Sequence, residues 1–216
     1  MRQLWRAIRA FVILSIITGV IYPLVVMGIS QALFPHQANG SLITVNGQMI
    51  GSELIGQNFS LDKYLWGRIS ATSDHPYNSL ASGGSNFAPV DTQLIDQLMA
   101  KDERPLSSGS NFAPSNPQLI AEVKGRLTQL KPSLEAIVPI DLVTSSASGL
   151  DPEISVAAAY FQMERIAKAR GMTVNQVQDI INQYANYPLL GIWGEARVNV
   201  LKVNLALDKM KYEEQP

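Results

Sequence analysis

The segment AFVILSIITGVIYPLVVMGISQALF, Ala10 to Phe34, runs for 25 residues without a charge. At about 1.5 Å per residue such a helix exceeds the ~30 Å hydrocarbon core of a bilayer. Ser15, Thr18 and Ser30 can bond back to carbonyls of their own helix, so they cost little in lipid. Pro23 is expected to kink the helix, which a membrane span tolerates when a neighbour or hydroxyl re-satisfies the freed carbonyl. Gly19 and Gly28 are small enough for close helix contact but stand nine apart, so they form no GxxxG pair. A cleaved signal peptide is the competing interpretation, but its apolar stretch is usually ~7–15 residues. Arg2, Arg6 and Arg9 precede the run, and the next charge is Glu53. Basic residues beside a span stay in the cytoplasm. The expectation is therefore a cytoplasmic N-terminus at 1–9, an anchor at 10–34 and an extracytoplasmic domain at 35–216. No second apolar run of that length exists, so the chain is expected to cross once.

The body is mildly acidic. The whole chain has 17 basic and 18 acidic residues, and removing the three leading arginines leaves 14 against 18, a net charge of −4. Nothing here favours nucleic acid. Charged residues are only 16 % of the chain, low for a wholly soluble one. There is no cysteine, which excludes disulfides, thiolate catalysis and cysteine metal sites.

Residues 36 to 50 suggest a loop rising into a short strand at SLITV. GSELIGQNF, YLWGRIS and AIVPIDLVTSS have strand character. Residues 72 to 90 are rich in Ser, Asn, Gly and Pro and suggest a surface loop. Asp91 and Asn116 are candidate helix caps, the latter followed by Pro117 and a helix with Leu119, Val123 and Leu127 on one face. Asp151-Pro152 or Ser155 should open a further helix with the stripe Val156, Tyr160, Met163 and Ala167, closed by Gly171. Thr173 and Gln176 have capping-box spacing before VNQVQDIINQYAN, and ARVNVLKVNLALDKM suggests a strand running into a last helix. Strands and helices alternate without a regular βαβ rhythm, so the expected class is α+β, an irregular α/β arrangement.

Chemistry-bearing patterns are sparse. His36 and His75 both fall in expected loops without metal-ligand spacing. There is no GxSxG, no Walker A sequence and no Asp-Lys-Thr-Gly. Asp62-Lys63 and Asp208-Lys209 continue with Tyr64 and Met210. SGGSN, Ser82 to Asn86, has glycine-rich looks but no strand–helix setting. VTSSASGLDPEISVAAA, Val143 to Ala159, is more specific: small residues with Gly149, Asp151 and Pro152 at a strand-to-helix turn allow close approach of backbone or partner. Asp151 either caps a helix or meets a partner.

GSNFAP occurs twice, at 84–89 and 109–114, and ten of fourteen positions agree between 82–95 and 107–120. Two copies do not make a solenoid. The first keeps its upstream context and the second its downstream context, as a tandem duplication of about 25 residues would leave them. The added unit is either a tolerated surface scar or an extra contact.

Taken together, Val138-Pro139, Asp141-Leu142-Val143-Thr144, Ser148-Gly149-Leu150-Asp151-Pro152, Ile154-Ser155, Ala157 to Ala159, Gln162 and Ala169-Arg170-Gly171 resemble the C-subunit family of the Kdp potassium-transporting ATPase. GSELIGQNF (Gly51 to Phe59), WGRISA (Trp66 to Ala71), PYN (Pro76 to Asn78), SGGSN, VNVLKVNLALD (Val198 to Asp208) and the single anchor with Tyr22-Pro23 extend the resemblance along nearly the whole chain. Ile69, Glu153 and Val156 depart from the family's usual proline, histidine and proline.

The resemblance implies a non-catalytic accessory subunit of a high-affinity potassium uptake system in the bacterial inner membrane. Its partners would be a potassium-binding channel-like subunit, a P-type ATPase catalytic subunit and a small lipid-facing subunit. ATP and potassium would be handled by the complex, with no cofactor bound directly. The implied role is chaperone-like support of ATP binding by the catalytic subunit. Because the body is expected outside, that support would act indirectly, through packing of the anchor and a cap over the potassium entrance. Candidate contact residues are Gly19, Pro23 and Gly28 in the anchor, and Gly149, Asp151, Pro152, Ser155 and Gln162 in the body. A membrane-anchored enzyme would need a converging acid, base or nucleophile set. A sensor would need a cytoplasmic output domain, for which nine residues leave no room. An extracytoplasmic assembly factor is the remaining alternative.

Overall fold

Pro23 lacks an N–H, and its ring crowds the carbonyl four residues back, so an unbroken α-helix through it is unfavourable. In the computed structural model the chain meets this with a wider turn. Helix α1 (Arg2–Ile16) passes into a π-helical turn, Ile17–Ile21, and α2 (Tyr22–Leu33) resumes with Pro23 in its first turn. The Tyr22 N–H donates to the Ile17 carbonyl, five residues back. Thr18 Oγ1 donates to the Leu14 carbonyl at 2.8 Å, the back-bonding expected of a hydroxyl in such a helix. The composite helix spans Arg2–Leu33, 32 residues, long and apolar enough to cross a membrane, and none of its residues is buried.

The structure describes residues 2–72, 74–83, 117–130, 137–188 and 191–213. The chain divides into two compact units, Met1–Ser52 and Glu53–Pro216. In the first, α3 (Pro35–Ala38) follows α2, and Asn39 Nδ2 donates to the Pro35 carbonyl at 2.7 Å. A hairpin of β1 (Leu42–Val45) and β2 (Gln48–Ser52) completes it. Its turn is Asn46-Gly47, both with positive φ (51° and 79°), the requirement of a type I′ turn that matches strand twist. The expected strand at SLITV is thus real, the loop expected before it is instead helical at Pro35–Ala38, and β2 is an addition that the Asn-Gly pair signals.

The second unit is built on a small antiparallel sheet in the order β3-β5-β4: β3 (Glu153–Ser155), β4 (Ala185–Asn186) and β5 (Arg197–Asn199). Ile154 lies opposite Val198, and both are buried. Helix α4 (Pro117–Leu130) begins at the expected proline. Then α5 (Val156–Phe161), α6 (Met163–Arg170), α7 (Val174–Gln183) and α8 (Val200–Glu213) enclose a core of Leu65, Leu142, Ile154, Ile166, Ile181, Val198, Val203 and Leu207. The sheet strands are only two or three residues long, so helix packing onto them carries the apolar burial. Mixed helix and sheet is the class the sequence suggests.

The helix punctuation is as expected. Ser155 Oγ accepts from Ala158 N at 3.1 Å and caps α5. Gly171 closes α6 in the left-handed region at φ 72°. Thr173 and Gln176 form a full capping box on α7, a cap of about 1 kcal/mol.

The strand expectations fail where backbone partners are lacking. Of GSELIGQNF, only Gly51 and Ser52 lie in a strand. YLWGRIS is extended loop with a single bridge from Ile69 to Ser145. In AIVPIDLVTSS the described part forms a 3₁₀ turn at Ile140–Leu142, which buries Leu142. The stripe from Val156 to Ala167 is split by a turn at Gln162, and the helix after Thr173 stops at Gln183 because Ala185 and Asn186 join the sheet. The expected caps Asp91 and Asn116 and most of the doubled loop lie outside the described residues.

Candidate functional site

Two buried amides hold the Leu65–Trp66 backbone in place. Asn204, on the otherwise apolar face of α8, accepts from Leu65 N at 2.7 Å and donates to Leu65 O at 3.0 Å. Gln162, at the break between α5 and α6, accepts from Trp66 N at 2.9 Å and donates through Nε2 to Trp66 O at 3.1 Å and Ala158 O at 3.2 Å. Two side chains therefore do for this extended segment what a neighbouring strand would do, and they satisfy four backbone groups inside the core. Both amides are 1 % exposed.

Trp66 is fixed further by its indole N–H, which donates to the Leu61 carbonyl at 3.0 Å. Two guanidiniums lie over its ring, Arg165 at 3.8 Å and Arg126 at 5.1 Å from the centroid. Arg165 is held by the Asp62 and Tyr64 carbonyls and by Gln162 Oε1. Burial pulls the Arg165 group down to about 10, against the pull of Asp62. Burial also lowers Arg126.

Tyr77 forms the adjoining wall. Its hydroxyl donates to the Arg68 carbonyl at 2.7 Å, and its backbone N–H donates to Ser70 Oγ at 2.8 Å. Burial, and then the charge of Asp151, raise its phenol to about 12. The ring is seated against two glycines. A Cβ on Gly56 would stand 2.4 Å from the Tyr77 ring and 2.5 Å from the Asp151 carbonyl, and one on Gly67 would stand 2.6 Å from the Tyr77 hydroxyl. Only glycine fits at either place. Gly149, at φ 67°, has the same constraint against Thr72 and the Gly83 carbonyl.

Trp66, Gly67, Tyr77 and Arg126, with Phe59, Asp62 and Arg68, line a cleft of about 410 Å³. A second depression of about 320 Å³ is acidic, with Asp141, Asp151, Glu153 and Glu195 around Arg68 and Arg197. Ion pairs run between Arg68 and Asp151 (3.3 Å) and between Arg197 and Glu153 (2.8 Å). Among the described residues no group of three or more His, Asp or Glu is arranged to hold a metal.

The candidate residues separate by unit. Gly19, Pro23 and Gly28 lie on the exposed apolar helix, where a Cβ on either glycine would meet nothing within 4 Å. Gly149, Asp151 and Pro152 lie at one strand entrance: the Leu150 carbonyl accepts from Gly56 N at 2.8 Å, and the Pro152 carbonyl accepts from Val200 N at 3.0 Å. Asp151 does not begin a helix. Its carboxylate accepts from Glu153 N at 3.0 Å and pairs with Arg68. Ser155 serves α5 as its cap, and Gln162 offers no surface. Sequence reasoning missed Trp66 with its two arginines, although a polar Asn204 within the stripe Val200, Val203, Leu207 was a readable sign of a buried polar contact. A Ser-x-x-Lys sequence, not expected in the chain, is present at Ser60-Leu61-Asp62-Lys63. Ser60 is exposed and Lys63 Nζ lies over the Tyr64 ring at 4.9 Å, which is no nucleophile–base pair.

The family described as "K+-transporting ATPase, c chain" (KdpC) matches in two overlapping stretches, residues 4–106 and 99–209. The chain is 48 % identical over 212 residues to the potassium-transporting ATPase KdpC subunit of Herpetosiphon aurantiacus, covering 98 % of each chain. It is 46 % identical over 216 residues to that of Paraburkholderia phytofirmans (98 % of this chain, 100 % of the relative) and 47 % over 208 residues to that of Polaromonas naphthalenivorans (95 % and 93 %).

Proposed function

The chain belongs to the KdpC family, the c chains of K+-transporting ATPases, and from that premise we propose that it works as a non-catalytic subunit of the pump, anchored by its N-terminal helix with the body outside the cytoplasm. The observation that carries this is the family match along nearly the whole chain, shared by the anchor and the body alike. The motif residues also behave as scaffold. Gly56, Gly67, Tyr77, Gly149, Asp151, Ser155 and Gln162 spend their geometry on fixing one another and the backbone around the Trp66 cleft. Such a set suits a rigid docking body better than a reacting one.

In this reading the partners are a potassium-binding channel-like subunit, the catalytic P-type ATPase subunit and a small lipid-facing subunit. Gly19, Pro23 and Gly28 are the anchor's contacts with neighbouring helices, where small residues permit close approach. Asp151, Pro152 and Ser155 are the body's, with the buried Gly149 and Gln162 supporting them from within. ATP and potassium are handled by the complex. Support of ATP turnover passes indirectly, through helix packing and a cap on the outer side, since nucleotide lies in the cytoplasm.

Potassium-stimulated ATP hydrolysis, measured for the purified pump with and without this chain, tests the reading. Turnover should fall when the chain is omitted and return when it is added back, and the chain alone should hydrolyse nothing. Equal rates with and without it, or turnover by the chain alone, would refute the accessory role.

A further inference from the structure

Arginines in the second unit are paired with carboxylates: Arg68 with Asp151, Arg165 with Asp62 (4.0 Å), Arg170 with Asp208 (2.8 Å), Arg197 with Glu153. Arg126 has no such partner among the described residues. Its guanidinium instead donates to neutral oxygens: Nε to Leu142 O at 3.0 Å, one terminal nitrogen to Gln129 Oε1 at 3.1 Å, the other to Gly67 O at a long 3.5 Å. A guanidinium has five protons, so these bonds leave one on each terminal nitrogen. The group is half-buried against Trp66, in the wall of the 410 Å³ cleft. A charge withdrawn from water with no counter-charge among the described residues is costly, and the surrounding dipoles offset it only in part.

The cleft supplies what a carboxylate needs. Two free protons on adjacent nitrogens suit its two oxygens. The Asn58 and Ser60 side chains of the lining are exposed and polar, the Phe59 ring can cover the methylenes of an entering acidic side chain, and Asp62, which also lines the cleft, is engaged by Arg165 at 4.0 Å. The volume, about 410 Å³, exceeds that of a lone oxyanion and accommodates a side chain with part of its backbone.

We propose that this cleft receives an aspartate or glutamate side chain presented by another chain of the pump, with Arg126 as its ion-pair partner. The inference rests on the accessory-subunit reading and adds a specific contact to it.

The test uses the purified complex and two variants of the full chain. Gln129→Glu puts a carboxylate on the residue that Arg126 already contacts, so it occupies the guanidinium from within without removing any packing. It should leave the thermal midpoint of the free chain in detergent unchanged or raised, while lowering retention of the chain in the complex at least ~10-fold. Arg126→Gln should lower retention as much, and the retention of wild type alone should weaken with added salt. A photoreactive residue at Asn58 of otherwise wild-type chain should capture an Asp- or Glu-containing segment of another subunit. Wild-type retention of Gln129→Glu sinks the proposal, as does capture of a segment without an acid. Stabilisation of the free wild-type chain, but not Gln129→Glu, by 10 mM inorganic phosphate, with retention unaltered, would mark a small-anion site instead and overturn it. If the wild-type chain itself fails to join the complex, the accessory reading falls, a result distinct from any of these.

Discussion

Tyr77 shows how much a single buried side chain can reveal under a change of pH. Its phenol is held neutral, raised from 10 to about 12 by burial and by Asp151. Below pH 10 the group is neutral in folded and unfolded chains, and its contribution to stability is fully present. Between pH 10 and 12 the unfolded chain releases the proton and the folded chain does not, so stability falls as pH rises through that window. Tyr77→Phe loses the bond to the Arg68 carbonyl, about 1 kcal/mol at pH 8, but carries no phenol to titrate. The stability gap between wild type and variant should therefore narrow from pH 8 to pH 11, measured by urea unfolding of the full chain in detergent. A gap that stays constant would mean the phenol is not held neutral by the fold. At this scale the sequence was partly legible. PYN and Gln162 could be singled out only through the family resemblance, whereas SGLDP also stood out by its glycine and proline at a strand-to-helix turn. What each touches was not legible. Gln162 meets Trp66 across 96 positions and Asn204 meets Leu65 across 139, and no local pattern encodes separations of that size.

Among the elements, helix starts were readable, while of the expected strands only those at SLITV (β1) and ARVNV (β5) formed, for one physical reason. A cap such as Ser155, Thr173 or Gly171 acts on its own next turn, so the information is local. A strand exists only if a partner presents its backbone, and the Leu65–Trp66 segment found side-chain amides instead. The type I′ turn at Asn46-Gly47 is the local exception, since the dipeptide itself prefers the required conformation. The doubled segment is the other element-scale question. We propose that one period is dispensable. Deleting residues 85–109 joins Gly84 to Ser110 and restores a single SGGSNFAPSNPQLI junction leading into α4, which begins at Pro117. Surface insertions and their removal cost little when the flanking elements are intact. The deleted chain should assemble with the pump and support potassium uptake at wild-type levels. A folded deletion variant that no longer assembles would identify the extra unit as a contact.

Across the whole molecule, charge distribution makes the strongest statement. Three arginines precede the apolar helix, no charge lies between Arg9 and Glu53, and the rest of the chain is net −4. The described structure has one helix long and apolar enough to span a bilayer, and its surface is uniformly open. An isolated helix of this kind leaves its side chains to lipid and to neighbouring spans, and the π turn before Pro23 gives it a built-in irregularity at which another helix can pack. We propose that retention of arginine on the cytoplasmic side sets the direction of crossing, because moving a guanidinium through the core costs several kcal/mol even by the mildest scales, and that the body lies on the opposite face. Protease added to intact spheroplasts should therefore digest the second unit, while the same protease on inside-out vesicles should leave it whole. Replacing Arg2, Arg6 and Arg9 together by serine should make the insertion mixed, with a protected fraction appearing in spheroplasts. Full protection of the wild-type body in spheroplasts would invert the topology, and with it the argument that this chain influences ATP turnover only at a distance.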